Sequence, residues 1–170
     1  MRSSAASDVY KRQSQNEQDN RVYGNFAMIP MFEPSSQQEA YDMVYHGFEL
    51  SEKLGYPILL RVTTRMAHSR AGVVTSPLKP ENRMNCPEDG RQRFILLPAL
   101  ARKRFKSLLA SQEAFTEASE NSAYNKYFDA PNKDLGIITT GIAFNYLSEN
   151  YPDGFELSLI HISEPTRLQL

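Results

Sequence analysis

Residues Ser14 to Arg21 read SQNEQDNR, eight polar side chains in a row. Gln15, Asn16, Gln18 and Arg21 can donate hydrogen bonds, Glu17 and Asp19 can accept them, and Ser14-x-x-Glu17 has the spacing of a capping box. Free backbone N–H groups at a helix start favour an anion, so recognition of a phosphate or carboxylate is the chemistry open to this stretch. A solvated helix start in which Glu17 does nothing but cap is an equal alternative. A second group, Thr63 to Arg70 (TTRMAHSR), brings Arg65, His68, Arg70 and three hydroxyls to the end of an apolar run. Guanidinium groups and hydroxyls can hold an anion there. His68 has no visible carboxylate to orient it as a base, which favours contact with a neighbouring subunit over catalysis.

Three other features carry less. Arg102, Lys103, Arg104 and Lys106 cluster early in an expected helix, the wrong end for the helix dipole, so a solvated basic face is the preferred reading. Cys86 stands alone among prolines and charges, and no metal site is expected. Thr139-Thr140-Gly141 marks a strand-to-helix turn that could take a phosphate, but a single glycine is no nucleotide fingerprint.

The elements that must position these groups follow from caps and apolar spacing. A helix is expected from Gln15 to about Tyr23, ended by Gly24, and then a buried strand at Phe26–Ile29 and a stiff Pro30–Pro34 passage. Ser36-x-x-Glu39 opens the best helix. Ala40, Met43, Val44, Gly47, Phe48, Ser51 and Leu54 make its packing stripe, and Gly55 stops it. Pro57–Thr64 is a near-continuous apolar run of the kind buried in a parallel sheet. Strand, capped helix and strand joined by short loops make the class α/β. Residues 75 to 134 read as a connector carrying one helix, from Pro98 to about Glu120. Leu135–Thr140 then reads as a strand running into a helix at Ile142–Leu147.

Composition narrows the function classes. The chain has 170 residues, 41% of them hydrophobic, with a formal charge of -1, a mean hydropathy of -0.51 and one cysteine. That is enough for a core, lacks any run long enough to span a membrane, and argues against a dedicated nucleic-acid binder. One cysteine excludes a disulfide framework or a cysteine-held cluster within this chain, and a reduced, cytoplasmic setting is expected. The ends stand apart. Ser3–Gln13 (SSAASDVYKRQ) and Leu157–Arg167 (LSLIHISEPTR) resemble the two conceptual translations of transposase sequencing adapters. Residues 1–13 and 157–170 are therefore expected to lie outside the native sequence, with His161 carrying no meaning.

With SSQQEAYDMVYHGFELSEKLG (Ser35–Gly55), YPILLRVTTRMAHSRAGVV (Tyr56–Val74) and LGIITTG (Leu135–Gly141), the SQNEQDNR segment resembles the α subunit of the indolepyruvate ferredoxin oxidoreductases. The resemblance implies thiamine diphosphate, Mg²⁺ and [4Fe-4S] clusters. It also implies a β subunit, ferredoxin, coenzyme A and an aryl 2-oxo acid as partners. In that frame residues 14–74 are the C-terminal part of a pyrimidine-binding domain, 75–134 a connector and 135–156 the start of a transketolase C-terminal-like domain. Gln15, Asn16, Gln18 and Arg21 fall on the substrate and cofactor side. The glutamate that activates the aminopyrimidine is expected upstream of Ser14, and the diphosphate and cluster regions downstream of Glu156. Two alternatives stay open: a pyruvate or 2-oxoglutarate oxidoreductase, and a non-catalytic α/β module that binds a partner through Arg65, His68 and Arg70.

Overall fold

The computed structural model describes residues 19–78, 80, 94–95, 97–151, 154–155 and 157–162. The first unit is α1 (Arg21–Ala27), β1 (Met31–Phe32), α2 (Gln37–Leu54), β2 (Leu59–Leu60) and α3 (Thr64–His68). β1 and β2 pair in parallel, Met31 opposite Leu59 and Phe32 opposite Leu60, with α2 as the crossover between them. This is the α/β arrangement expected from the sequence.

α2 forms where its caps say it should. Ser36 accepts a hydrogen bond from the Glu39 N–H at 3.2 Å, and Gly55 takes the left-handed conformation (φ 71°) that ends the helix. Glu39 completes the box one residue further out, accepting from the Ser35 N–H at 2.8 Å and from the Ser35 hydroxyl at 2.7 Å. Its packing stripe is narrower than expected: Met43 and Leu50 are buried, whereas Val44 and Phe48 face outward. Met43 and Leu50 close over Phe32, flanked by Leu54, Ile58, Leu60, Ala118 and Tyr124. The Phe32 ring also meets His46 and Tyr124 at 5.7 and 6.0 Å between centroids. Burial of side chains this size contributes about 1.5–3 kcal/mol each, so this cluster anchors a strand pair only two residues long.

The start of the unit differs from expectation. Gly24 does not end a helix. It lies buried within α1, where a Cβ would sit 3.3 Å from the Met31 sulfur, so its value is close approach. The helix ends instead at Met28 (φ 57°), whose N–H returns to the Asn25 carbonyl at 3.2 Å. The strand expected at Phe26–Ile29 is displaced to Met31–Phe32, and Phe26 is 87% exposed. The apolar run from Pro57 likewise pairs only at Leu59–Leu60, because Thr63 turns the chain into α3 by accepting from the Met66 N–H at 3.3 Å.

The stretch read as a connector holds two helices and a strand: α4 (Pro98–Ala110), α5 (Gln112–Glu120) and β3 (Lys126–Phe128). The expected single helix is interrupted at Ser111; Phe115 and Ser119 of α5 are buried, whereas no residue of α4 is. β4 (Asn132–Thr140), α6 (Ala143–Asn150) and β5 (Leu157–Ile162) complete a second sheet in the order β3-β5-β4, antiparallel between β3 and β5 and parallel between β5 and β4. Leu157–Ile162, expected to lie outside the native sequence, is thus the middle strand, with Leu159 and His161 fully buried. The His161 ring lies 4.2 Å from that of Phe144. An alternating apolar hexapeptide is a competent strand whatever DNA encodes it, so its place in the sheet is a matter of pairing and not of origin.

Candidate functional site

In open α/β sheets, ligands gather at the carboxyl ends of parallel strands. Glu33 and Arg61 are the residues that follow β1 and β2 there, and the parallel register sets them side by side. Both are buried, and Arg61 Nη1 donates to Glu33 Oε1 at 2.8 Å. The other carboxylate oxygen, Glu33 Oε2, and Arg61 Nε have no hydrogen-bond partner among the described residues. Burying two charges is tolerable only because each compensates the other; either alone would face the full desolvation penalty.

Arg21, at the start of α1, extends this pair toward solvent. Its Nε donates to Asp19 Oδ1 at 2.8 Å and lies 3.8 Å from Glu33 Oε2, while Nη1 donates to the Thr140 hydroxyl at 3.3 Å. Arg61 Nη2 stands 3.9 Å from the same Asp19 oxygen. The hydrogen bond from Arg21 holds the Asp19 carboxyl below its ordinary range, and the same bond raises the Arg21 guanidinium. The second unit enters at the turn after β4, where Gly141 (φ 53°) presses on Glu33: a Cβ there would come within 2.5 Å of Oε1. Asn145 adds a bond from its side-chain amide to the Ser35 carbonyl at 2.6 Å. Two cations and two carboxylates, one of each buried, therefore meet where β1, β2 and the β4–α6 turn converge.

Chemically, the cluster is balanced, so it offers a directed donor and not a strong anion-attracting field. Arg21 supplies that donor. Its side chain is 44% exposed and its Nη2 makes no hydrogen bond among the described residues, so that nitrogen keeps donor capacity of the kind a carboxylate accepts.

Of the residues singled out from sequence, Asp19, Arg21, Thr140 and Gly141 are placed in this cluster; Gln15, Asn16 and Gln18 lie outside the described residues, as does Cys86. Arg65, His68 and Arg70, expected on a loop as a possible anion or subunit contact, lie elsewhere than this cluster. They lie on and just beyond α3, Arg65 stacks over the Tyr146 ring at 5.0 Å, and the side chains of His68 and Arg70 are exposed with no hydrogen bond or ion pair among the described residues. Glu33 and Arg61 escaped the sequence reading. The available signal was a charge set directly after each short apolar strand, where a side chain can be buried only if something pairs with it.

Elsewhere, a cavity of about 430 Å³ opens between α2 and α5, lined by His46, Lys53, Leu54, Glu117 and Tyr124 among others, and shares no lining residue with the charged cluster. Among the described residues no group of three or more histidines, cysteines or acids could hold a metal ion. No helix of the described residues is long and apolar enough to cross a membrane.

No family model matches the chain. Curated relatives do. The chain is 40% identical over 149 residues to the indolepyruvate oxidoreductase subunit IorA of Pyrococcus abyssi, covering 85% of this chain and 23% of that one. It is 41% identical over 146 residues to the IorA of Archaeoglobus fulgidus, with 85% and 23% covered. The IorA of Methanothermobacter thermautotrophicus is 37% identical over 164 residues, covering 92% of this chain and 26% of its own length. That wider match takes in part of residues 1–13 and 157–170, since it leaves only 8% of the chain unmatched. The chain spans about a quarter of the length of the curated relatives it matches. Over most of its own length it is therefore related to the indolepyruvate oxidoreductase IorA subunits, as a partial region of that family's sequence.

Proposed function

We propose that the chain is part of a subunit that oxidatively decarboxylates indolepyruvate and other aryl 2-oxo acids to acyl-CoA while reducing ferredoxin. The observation that carries this reading is the 37–41% identity to IorA subunits over 85–92% of the chain. The β subunit, ferredoxin and coenzyme A enter as partners of the complete protein, with a cytoplasmic setting. Residues 14–74 fit the C-terminal part of a pyrimidine-binding domain, 75–134 the connecting region and 135–156 the start of a transketolase C-terminal-like domain.

Thiamine diphosphate, when bound, supplies the electron sink that decarboxylation of a 2-oxo acid requires. The described residues do not fit its Mg²⁺ or the [4Fe-4S] clusters, since none form a metal-holding group, and those groups belong in this reading to other parts of the protein. The role left to this chain is binding and orientation. In this reading Arg21, with Gln15, Asn16 and Gln18 beside it in sequence, holds the carboxylate of the 2-oxo acid, supported by the hydrogen bond through which Asp19 fixes the guanidinium at Nε. The compensating carboxylates keep the site from trapping unrelated anions.

The test is a substrate panel on the complete subunit assembled with its partner subunit. Ferredoxin reduction that depends on coenzyme A and is faster with indolepyruvate than with pyruvate or 2-oxoglutarate is expected. Preference for either small 2-oxo acid would reassign the substrate, and no reduction with any of them would remove the reading in favour of a non-catalytic module.

A further inference from the structure

Glu33 is connected on every side. One of its oxygens accepts from Arg61 at 2.8 Å, the other lies 3.8 Å from Arg21 Nε, and its carboxylate packs against Gly141 so closely that a side chain there would have to displace it. Arg21 closes the circuit by donating to Thr140, the neighbour of Gly141. We propose that Glu33 is a positioning residue: buried between Arg61 and Gly141, it sets the Arg21 guanidinium and couples it to the β4–α6 turn.

Three observations favour this over a merely stabilising ion pair. A buried pair is replaceable by apolar residues at little or no loss, so one whose Glu33 Oε2 and Arg61 Nε find no hydrogen-bond partner among the described residues is poorly explained by stability. Gly141 holds a left-handed conformation, and a Cβ on it would fall within 2.5–2.9 Å of the Glu33 carboxyl group and Cγ, so the turn and the Glu33 side chain are in close contact. The residues tied together, Arg21 in α1, Glu33 after β1, Arg61 after β2 and Thr140 at the end of β4, come from four separate elements, and Glu33 is the group in reach of Arg21, Arg61 and the β4–α6 turn at once. The consequence for substrate rests on the reading of Arg21 as a carboxylate-binding residue.

The experiment has two arms. In the 170-residue chain, Glu33→Gln keeps the shape and removes the charge. The amides of Phe144 and Asn145, which bond to the Gly141 and Ile142 carbonyls, should exchange hydrogen about tenfold faster or more, while those of α2 around Met43 and Leu50 do not change. Gly141→Ala, which displaces the carboxylate from the other side, should give the same local pattern. Unchanged turn amides in both variants, or equal acceleration throughout α2, would overturn the coupling. In the complete subunit with its partner, Glu33→Gln should raise KM for the aryl 2-oxo acid about tenfold with a much smaller change in kcat. A fall in kcat at constant KM would overturn the positioning role. Should the wild-type assembly turn over no 2-oxo acid at all, the functional reading fails and the exchange arm alone decides whether Glu33 holds the turn.

Discussion

The two halves of the molecule are held together by different physics. The first, α1 to α3, has a parallel pair of only two residues per strand and depends on a doubly capped helix, the Phe32–Met43–Leu50 cluster and a buried ion pair. The second, β3 to β5, has strands of nine and six residues in parallel register and an aromatic cluster of Phe128, Phe144, Phe155 and His161. Sheet hydrogen bonding and ring packing hold the second half, whereas the first relies on side-chain contacts at specific positions. The buried ion pair accordingly lies in the first half, and the second half contributes a hydroxyl and a glycine to its surroundings.

This contrast can be broken from the charged side first. Arg61→Ala leaves Glu33 buried without its hydrogen-bonded partner, with only the half-exposed Arg21 at 3.8 Å to balance it, and should cost up to about 3–5 kcal/mol in chemical denaturation. The double replacement of Glu33 and Arg61 by Leu and Met should recover most of that loss in stability while leaving Arg21 untethered. A single variant no worse than the double would show that the pair is not buried as described. On the other side, Leu159→Ala removes a fully buried side chain from the middle strand and should cost about 2–5 kcal/mol, with the loss carried by β3–β5 and not by α2 in residue-resolved hydrogen exchange.

Local signals explain what was legible before the structure. Ser36, Glu39 and Gly55 bound α2 through contacts within a few residues of each other, and the sequence spacing located both ends. Thr63 also caps a helix, but the capped helix has five residues and sits in a run whose β-branched composition points to a strand. Register was out of reach: Met31 and Phe32 become β1 because Leu59 and Leu60 lie beside them, and Phe26 to Ile29 were equally apolar. Arg21 could be chosen from its polar run, but Glu33 and Arg61 are 28 residues apart and meet only through that register. The strand at Leu157–Ile162 shows alternation in sequence, yet its partners Gly136–Thr140 and Lys126–Phe128 are set by tertiary contact.

Smaller effects sharpen the comparison. Ser36→Ala removes the cap that the first half depends on and should cost about 1 kcal/mol, read as a shift in the denaturation midpoint. Protonation tests the second half. Burial pushes the His161 imidazole below its ordinary value, the charge of Glu39 opposes that, Lys126 reinforces it, and a backbone hydrogen bond with Thr139 opposes it again. The unfolded chain, with a histidine value of about 6.5, then binds the proton more readily than the folded one. His161 therefore costs no stability above that value, and stability should fall as pH drops below it; His161→Phe should flatten that part of the pH profile. A slope unaffected by the substitution would place its source elsewhere.

The central claim is that Arg21, tethered by Asp19, Glu33 and Thr140, presents its Nη2 to the carboxylate of a 2-oxo acid. The direct measurement is the steady-state rate of ferredoxin reduction by the complete subunit and its partner, with Arg21→Met beside wild type, across a range of indolepyruvate concentrations. Loss of one charge-assisted hydrogen bond should lower kcat/KM by about tenfold to a hundredfold, mainly through KM. Identical kcat and KM in the two proteins would contradict it.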